Sequence, residues 1–242
     1  METELWPNLG AACRELSVPL LLVNARLSER SANRYARFAT LTGDTLRSLS
    51  AIGAQSADDA ARLKMLGAPD VTVSGNLKFD IDIPSAQLAL GEEFRHRYSA
   101  RASWLAASTR EGEEALILDS WRQRIAGERA LLVLVPRHPQ RFADVARLAR
   151  ERGFRVQLRS DDAVVAAETE VLIGDSMGEM LAYYASVDLV FIGGSLLDFG
   201  SQNLIEAAAC GTPILIGPST RNFADAARAA IACGAAQPIV DA

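Results

Sequence analysis

The sequence predicts an α/β protein with parallel sheets in two units, and three observations carry that expectation. Short aliphatic runs alternate with longer amphipathic stretches along all 242 residues, which is the rhythm of strands joined by helical crossovers. The rhythm breaks once, between Asp80 and Arg101. The length suits one large domain or two small ones, with ample chain for a sizeable core.

Strand-like runs fall at 18–23, 49–54, 71–74, 103–107, 130–135, 155–158, 170–173, 189–192, 213–216 and 238–240. They are nearly continuous in aliphatic residues, so they read as buried strands. Helical patterns lie between them. In 139–152 the apolar residues Phe142, Val145, Leu148 and Ala149 recur at helical spacing, and 59–66 is a shorter example. In such a fold, ligands bind at the carboxyl ends of the strands. Within the break, Asp80-Ile-Asp-Ile-Pro84 leads into the charged stretch 92–101. It reads as a linker or interdomain helix over 84–101 between a front domain, 1–83, and a rear domain, 102–242. The front part has three strand runs and opens on a motif instead of a strand, so that domain is expected to be incomplete. The rear part, with six or seven strands, is expected to be nearly complete.

Composition narrows the function classes. Thirty acidic against twenty-five basic side chains give a net charge of −5, which argues against a partner held by nucleic-acid phosphates. Cys13, Cys210 and Cys233 have no ligand spacing, and only His96 and His138 are available beside them. No metal site is expected and no redox cofactor is implied. The longest run free of Asp, Glu, Lys and Arg is 207–220, which falls short of the ~18 residues that span a bilayer. The residues after Met1 have neither a basic nor an apolar signal region. A soluble chain in a reducing, cytosolic setting is the expectation.

Several motifs sit where strands give way to helices. Pro136-Arg137-His138-Pro139 follows the apolar run ending at Val135, a place where an anion can meet free helix N–H groups and the Arg137 fork. Arg141, one turn later, would reinforce the positive field. A solvated, proline-bounded turn is the competing reading. Ser176 and Glu179 stand in S-x-x-E spacing, which is a capping box and needs no ligand. Asn203 and Glu206 pose the same choice between a cap and a ligand. Gly193-Gly194 after a strand lets a ligand approach the backbone closely, and a carboxylate beside such a turn suits the hydroxyls of a ribose. Glu2 precedes Trp6-Pro7 as surface decoration or as an acid–base group. Lys78 follows the run 71–74 towards a carboxyl-end crevice, though a lone lysine there is more often solvated. There is no G-x-S-x-G elbow and no Walker lysine.

Taken together, Glu2-Thr-Glu-Leu-Trp-Pro-Asn8, Asn24-Ala-Arg-Leu-Ser28, Gly75-Asn-Leu-Lys-Phe-Asp80, Pro136-Arg-His-Pro-Gln-Arg-Phe142, Gly174-Asp-Ser-Met-Gly-Glu179, Gly193-Gly-Ser-Leu196 and Asn203-Leu-Ile-Glu206 resemble the 3-deoxy-D-manno-octulosonic acid (Kdo) transferases. The order and spacing of the motifs agree as well. The resemblance implies a GT-B-type fold of two Rossmann-like domains and an inverting glycosyltransferase of lipopolysaccharide biosynthesis in Gram-negative bacteria. That enzyme moves Kdo from CMP-Kdo to a lipid A precursor (lipid IVA) at the cytoplasmic face of the inner membrane, without a cofactor. It places the donor at Pro136 and Arg137, at Met177, Gly178 and Glu179, and at Asn203, Leu204, Ile205 and Glu206. Glu2 and Lys78 match positions that stabilise the transition state, and Arg26 matches a motif without an assigned role.

The sequence departs from the family at Arg110 and Ser219, where His is usual. The family's general-base Glu and its membrane-associating segment lie upstream of Met1. A chain that binds CMP but transfers Kdo poorly or not at all is therefore expected. The competing readings are another GT-B nucleotide-sugar enzyme, such as a UDP-sugar transferase or 2-epimerase, and a non-catalytic nucleotide-binding module.

Overall fold

The computed structural model describes residues 4–99, 101–123 and 129–240, with the side chain of Lys78 left aside. The chain divides into two compact units, Met1–Asp80 and Ile81–Ala242. Both are α/β with parallel sheets, the class the sequence predicts.

The first unit has a three-stranded sheet of β1 (Leu21–Ala25), β2 (Ala51–Ala54) and β3 (Val71–Val73), in that order. Its helices are α1 (Pro7–Glu15), α2 (Glu29–Ala36), α3 (Ala39–Arg47) and α4 (Ala57–Met65). Two begin at serine caps. Ser28 accepts the N–H of Ser31, and Ser56 accepts that of Asp59. Buried Asp59 also accepts the Leu27 N–H at 2.8 Å, which anchors the loop between β1 and α2 to α4. Leu22, Leu46, Ile52 and Leu63 form the core of this unit. The front strands differ from the expectation of buried strands. Leu21 is 58% exposed and Val73 51% exposed, because the core of this unit lies on one face of its sheet only.

The second unit begins with α5 (Ser85–Arg97) and holds β4 (Ser103–Thr109), α6 (Glu113–Arg122), β5 (Leu131–Pro136), α7 (Phe142–Glu151), β6 (Val156–Leu158), β7 (Val171–Ile173), α8 (Met180–Ser186), β8 (Leu189–Ile192), α9 (Ile205–Ala209), β9 (Ile214–Ile216), α10 (Ala224–Ala232) and β10 (Ala236–Pro238). The seven strands run parallel in the order β10-β9-β8-β4-β5-β7-β6. From β4 the chain moves out to β5, β6 and β7, then returns to β8 on the other side. The carboxyl ends of β4 and β8 are thus a topological switch point.

Side-chain alternation splits the core of this unit between the two faces of the sheet. Leu105, Ala107, Val133 and Val135 join one layer with Phe94 and Tyr183, while Ala106, Leu132 and Leu134 join the other with Trp121 and Val145. All six residues of β5 are buried, as a central strand between two helical layers requires.

The segment 84–101, expected as a linker or interdomain helix, contains α5, which packs along α8 within the second unit. Gly91 permits that contact, since a Cβ there would lie 2.8 Å from Ala185 Cβ and 2.9 Å from Ala182 O. Phe94 and Tyr98 are buried in the second core, so the charged face of 92–101 disguised an apolar one. Other differences are local. The helix expected over 139–152 opens as a 3-10 turn at Pro139–Arg141, and the last strand lies two residues earlier than the apolar run 238–240. Ile239 still donates its N–H to Ile216 O at 2.9 Å.

Replacing Phe94 by Ala removes a ring packed 5.1 Å from that of Tyr183. It should cost about 3–5 kcal/mol, read as a lower midpoint in denaturant unfolding of the second unit. Burial, partly offset by the Ser186 hydroxyl, pushes the Tyr98 phenol up from 10.0 to about 12. Burial raises Tyr183 and Tyr184 as well. A raised phenol contributes stability that is full below its unfolded value and is lost as pH climbs through the folded one. Unfolding stability should therefore fall between about pH 10 and 12, and Tyr98→Phe should lessen the fall.

Candidate functional site

The motif turns of the second unit gather at the carboxyl edge of the seven-stranded sheet. Thr109 pairs with Pro136 across β4 and β5, so Arg110 and Arg137 leave neighbouring strands side by side. The loop 193–204 follows β8, on the other flank of β4. Arg137 Nε donates to Gln202 Oε1 at 3.2 Å, which joins the Pro136 turn to the segment carrying Asn203.

A buried carboxylate fixes the geometry of this edge. Glu113, wholly inaccessible at the start of α6, accepts N–H groups from Arg110 at 2.8 Å, Gly194 at 2.7 Å and Leu196 at 3.0 Å. The loops after β4 and β8 are thereby held as one piece at the switch point. Its neighbour Glu114, also buried, accepts the Thr109 hydroxyl at 2.8 Å and two Arg141 N–H groups at 2.6 and 3.1 Å. Arg141 was expected to reinforce an anion field, but its charge is spent on Glu114. The two glutamates escaped the sequence reading because adjacent acidic residues at a helix start look solvated. Their signal was the Gly112-Glu113-Glu114 string directly after a buried strand.

The glycine pair also reads differently in three dimensions. A Cβ on Gly193 would lie 2.5 Å from Ser108 O and 2.6 Å from Thr109 Cα. The close approach that demands glycine comes from the protein's own backbone, where β8 crosses the end of β4.

Ser176 and Glu179 do not form the expected capping box. The Ser176 hydroxyl donates to the Glu179 carboxylate and lies 2.8 Å from Tyr183 Oη. Glu179 also accepts from Arg159 Nη2 at 3.1 Å. Helix α8 starts at Met180 with no side-chain cap, because the serine is engaged by the carboxylate and the phenol rather than by the backbone. Met177 and Gly178 are exposed at the tip of this turn. The Gly178 carbonyl accepts from Gln87 Nε2 of α5 at 3.3 Å.

At the third turn Asn203 Oδ1 accepts the Ile205 N–H at 3.0 Å, and its Nδ2 donates to Glu206 Oε1 at 3.1 Å. Glu206 is half-buried, while the side chains of Leu204 and Ile205 belong to the core. Those two can offer a ligand only their backbone. Helix α9 begins at Ile205, one residue later than an Asn203 cap would set it. Pro136 is buried and Arg137 exposed. The departure Ser219 is structural here, accepting the Gly200 N–H at 2.9 Å.

Charge pairing separates the arginines of this edge. Arg141 pairs with Glu114, Arg159 with Glu179 and Arg221 with Asp198. Arg110 and Arg137 instead meet neutral groups. Arg110 lies over the Phe199 ring at 4.9 Å and contacts His138 Nε2 at 3.1 Å. An edge with two guanidinium groups that meet no carboxylate among the described residues suits an anionic ligand. Among the described residues no three His, Cys, Asp or Glu come together as metal ligands.

Glu2 falls outside the described residues. Lys78 belongs to a 3-10 turn, Leu77–Phe79, just after β3. Asn24 Oδ1 accepts the Leu77 N–H at 3.2 Å, so the Asn24–Ser28 motif fixes the turn that carries this lysine. A hollow of about 570 Å³ on the first unit is lined by Glu29, Arg30, Asn33, Arg34 and Arg37. All five are exposed, so it is open surface along α2.

A doubly wound parallel sheet with helices on both faces and basic, glycine-bearing loops at its carboxyl edge defines the second unit as Rossmann-like. Comparison with known proteins makes the assignment specific. Residues 1–81 match the family model of 3-deoxy-D-manno-octulosonic-acid transferase (kdotransferase). The enzyme of that name from Bordetella pertussis is 43% identical over 247 residues, covering 100% of this chain and 58% of the relative. That from Haemophilus influenzae is 38% identical over 227 residues, covering 92% and 53%. The C-terminal CMP-Kdo binding domain of WaaA from Acinetobacter baumannii superposes with a TM-score of 0.62 at 28% identity, over 65% of this chain and 83% of that one. The chain belongs to the Kdo transferase family, and it spans little more than half the length of these two relatives.

Glu113→Ala should strand three buried N–H groups and cost about 3 kcal/mol or more. Urea unfolding followed by tryptophan fluorescence measures the loss. A shift below about 0.5 kcal/mol, as for an ordinary surface change, would show that the loops hold together without it.

Proposed function

We propose that the second unit binds CMP-Kdo and that the whole protein transfers Kdo to a lipid A precursor. The observation that carries this reading is the gathering of three motif turns, at Pro136–Arg137, Met177–Glu179 and Asn203–Glu206, along one sheet edge where Arg110 and Arg137 meet no carboxylate among the described residues. The likeness of this unit to a CMP-Kdo binding domain supports it. In this reading Arg137 grips the phosphate. The Met177–Gly178 backbone and the Glu179 and Glu206 carboxylates meet the nucleoside, with Leu204 and Ile205 contributing main-chain groups.

Transfer proceeds with inversion. A base takes the proton of a glucosamine hydroxyl on the acceptor, and the freed oxygen attacks the anomeric carbon of Kdo. The bond to phosphate breaks with its electron pair going to CMP. Charge moves from the sugar to the departing phosphate, so a fixed anion beside the oxocarbenium-like sugar and a fixed cation beside the phosphate lower the barrier by electrostatics and positioning. Glu2 and Lys78 are the residues we assign to that stabilisation. The acceptor is a lipid (lipid IVA), which places the reaction at the cytoplasmic face of a Gram-negative inner membrane. No described helix is long and apolar enough to cross a membrane.

Calorimetric titration with CMP, with UMP and UDP as controls, tests the donor site. Selective CMP binding is expected. UDP binding more tightly than CMP would replace Kdo transfer by another nucleotide-sugar chemistry. Glu206→Ala should weaken CMP binding about tenfold, the worth of one hydrogen bond to a charged group, with the thermal midpoint nearly unchanged. A sharply lower midpoint with intact affinity would make Glu206 only the partner of Asn203.

A further inference from the structure

Arg110 has no part in the donor site implied by the family motifs, yet it is built into the same edge. It follows Thr109, whose strand partner is Pro136, so Arg110 and Arg137 are the first residues past the ends of two neighbouring strands, which in a sheet lie about 5 Å apart. Its half-buried side chain is held by neutral groups, the Phe199 ring at 4.9 Å and His138 Nε2 at 3.1 Å. A guanidinium only donates, so His138 Nε2 is the acceptor in this contact. The backbone N–H of Arg110 is pinned by Glu113. The guanidinium is thus held on two sides, by the ring and the imidazole, on a backbone that Glu113 fixes, and no carboxylate among the described residues pairs with it. Arg137 is oriented likewise through Nε by Gln202, leaving both Nη groups to donate.

Two forks on neighbouring strands match two anionic groups on one carbon. We propose that Arg110 is a binding residue for the carboxylate of the donor sugar, while Arg137 takes the phosphate. This rests on the CMP-Kdo reading given above. Kdo carries its carboxylate on the same anomeric carbon that bears the phosphate, so the two charges lie side by side, as the two arginines do. Neutral sugars linked to a nucleotide lack the first charge. The pair would therefore select acidic sugars bonded at the carboxyl-bearing carbon.

The test compares two ligands with the same singly charged phosphodiester, CMP-Kdo and the methyl ester of CMP, in calorimetric titrations of the whole chain. Wild-type protein should bind CMP-Kdo more tightly. Arg110→Gln should weaken CMP-Kdo by about tenfold or more and the methyl ester less than twofold, whereas Arg137→Gln should weaken both alike. Arg110→Lys, which keeps the charge and loses the fork, should recover part of the difference, and it serves the same comparison if the glutamine variant fails to fold. Equal weakening of both ligands by Arg110→Gln, or no effect on CMP-Kdo, would overturn the proposal and leave the donor site standing. Failure of the wild-type chain to bind either ligand would overturn the CMP-Kdo reading itself.

Discussion

The buried carboxylate of Glu113 is the constraint on which the carboxyl edge of the second unit depends. Two loops leave β4 and β8 at the switch point, and neither can satisfy its own N–H groups with sheet hydrogen bonds. One side chain from the first turn of α6 accepts three of them. A charged acceptor makes such bonds stronger than neutral ones, and three donors replace the hydration that burial removes. The position of Arg110, the course of the Gly193–Gly194 turn and the placement of Gln202 beside Arg137 follow from that anchor.

Glu114 works next to it in the opposite electrostatic sense. By absorbing Arg141, it confines the uncompensated positive charge to Arg110 and Arg137. The result is a narrow cationic strip rather than a broad basic face, consistent with a protein whose net charge is −5. A strip of that width discriminates by geometry, since only an anion at the right strand is met by a fork.

The parallel architecture was legible in the sequence because buried strands between helices leave aliphatic runs that nothing else produces. All six residues of β5 face one core or the other, and Leu131–Val135 announced it. The edges were less legible. β1 pairs with β2 through a short alternating segment, and β10 begins at Ala236, where apolar character is weak and hydrogen bonding to β9 decides. The packing of α5 was obscured by the charged run of Glu92, Glu93, Arg95 and Arg97, while Phe94 within the helix and Tyr98 at its end are buried in the second core. At the site, the turns were readable from motif spacing but their internal pairing was not. S-x-x-E spacing describes a cap and a serine–carboxylate contact equally well, and only the nearby Tyr183 and Arg159 decide for the latter. The Gly193 requirement was visible as a glycine, though not the backbone that imposes it.

The donor site requires the three turns to act as one nucleotide site, and amide chemical-shift mapping of the labelled chain during CMP addition tests that most directly. Shifts should concentrate at Arg137, Met177 to Glu179 and Asn203 to Glu206, with Arg110 responding as their neighbour. Shifts confined to a single turn, or centred on Arg30, Arg34 and Arg37 of α2, would contradict it.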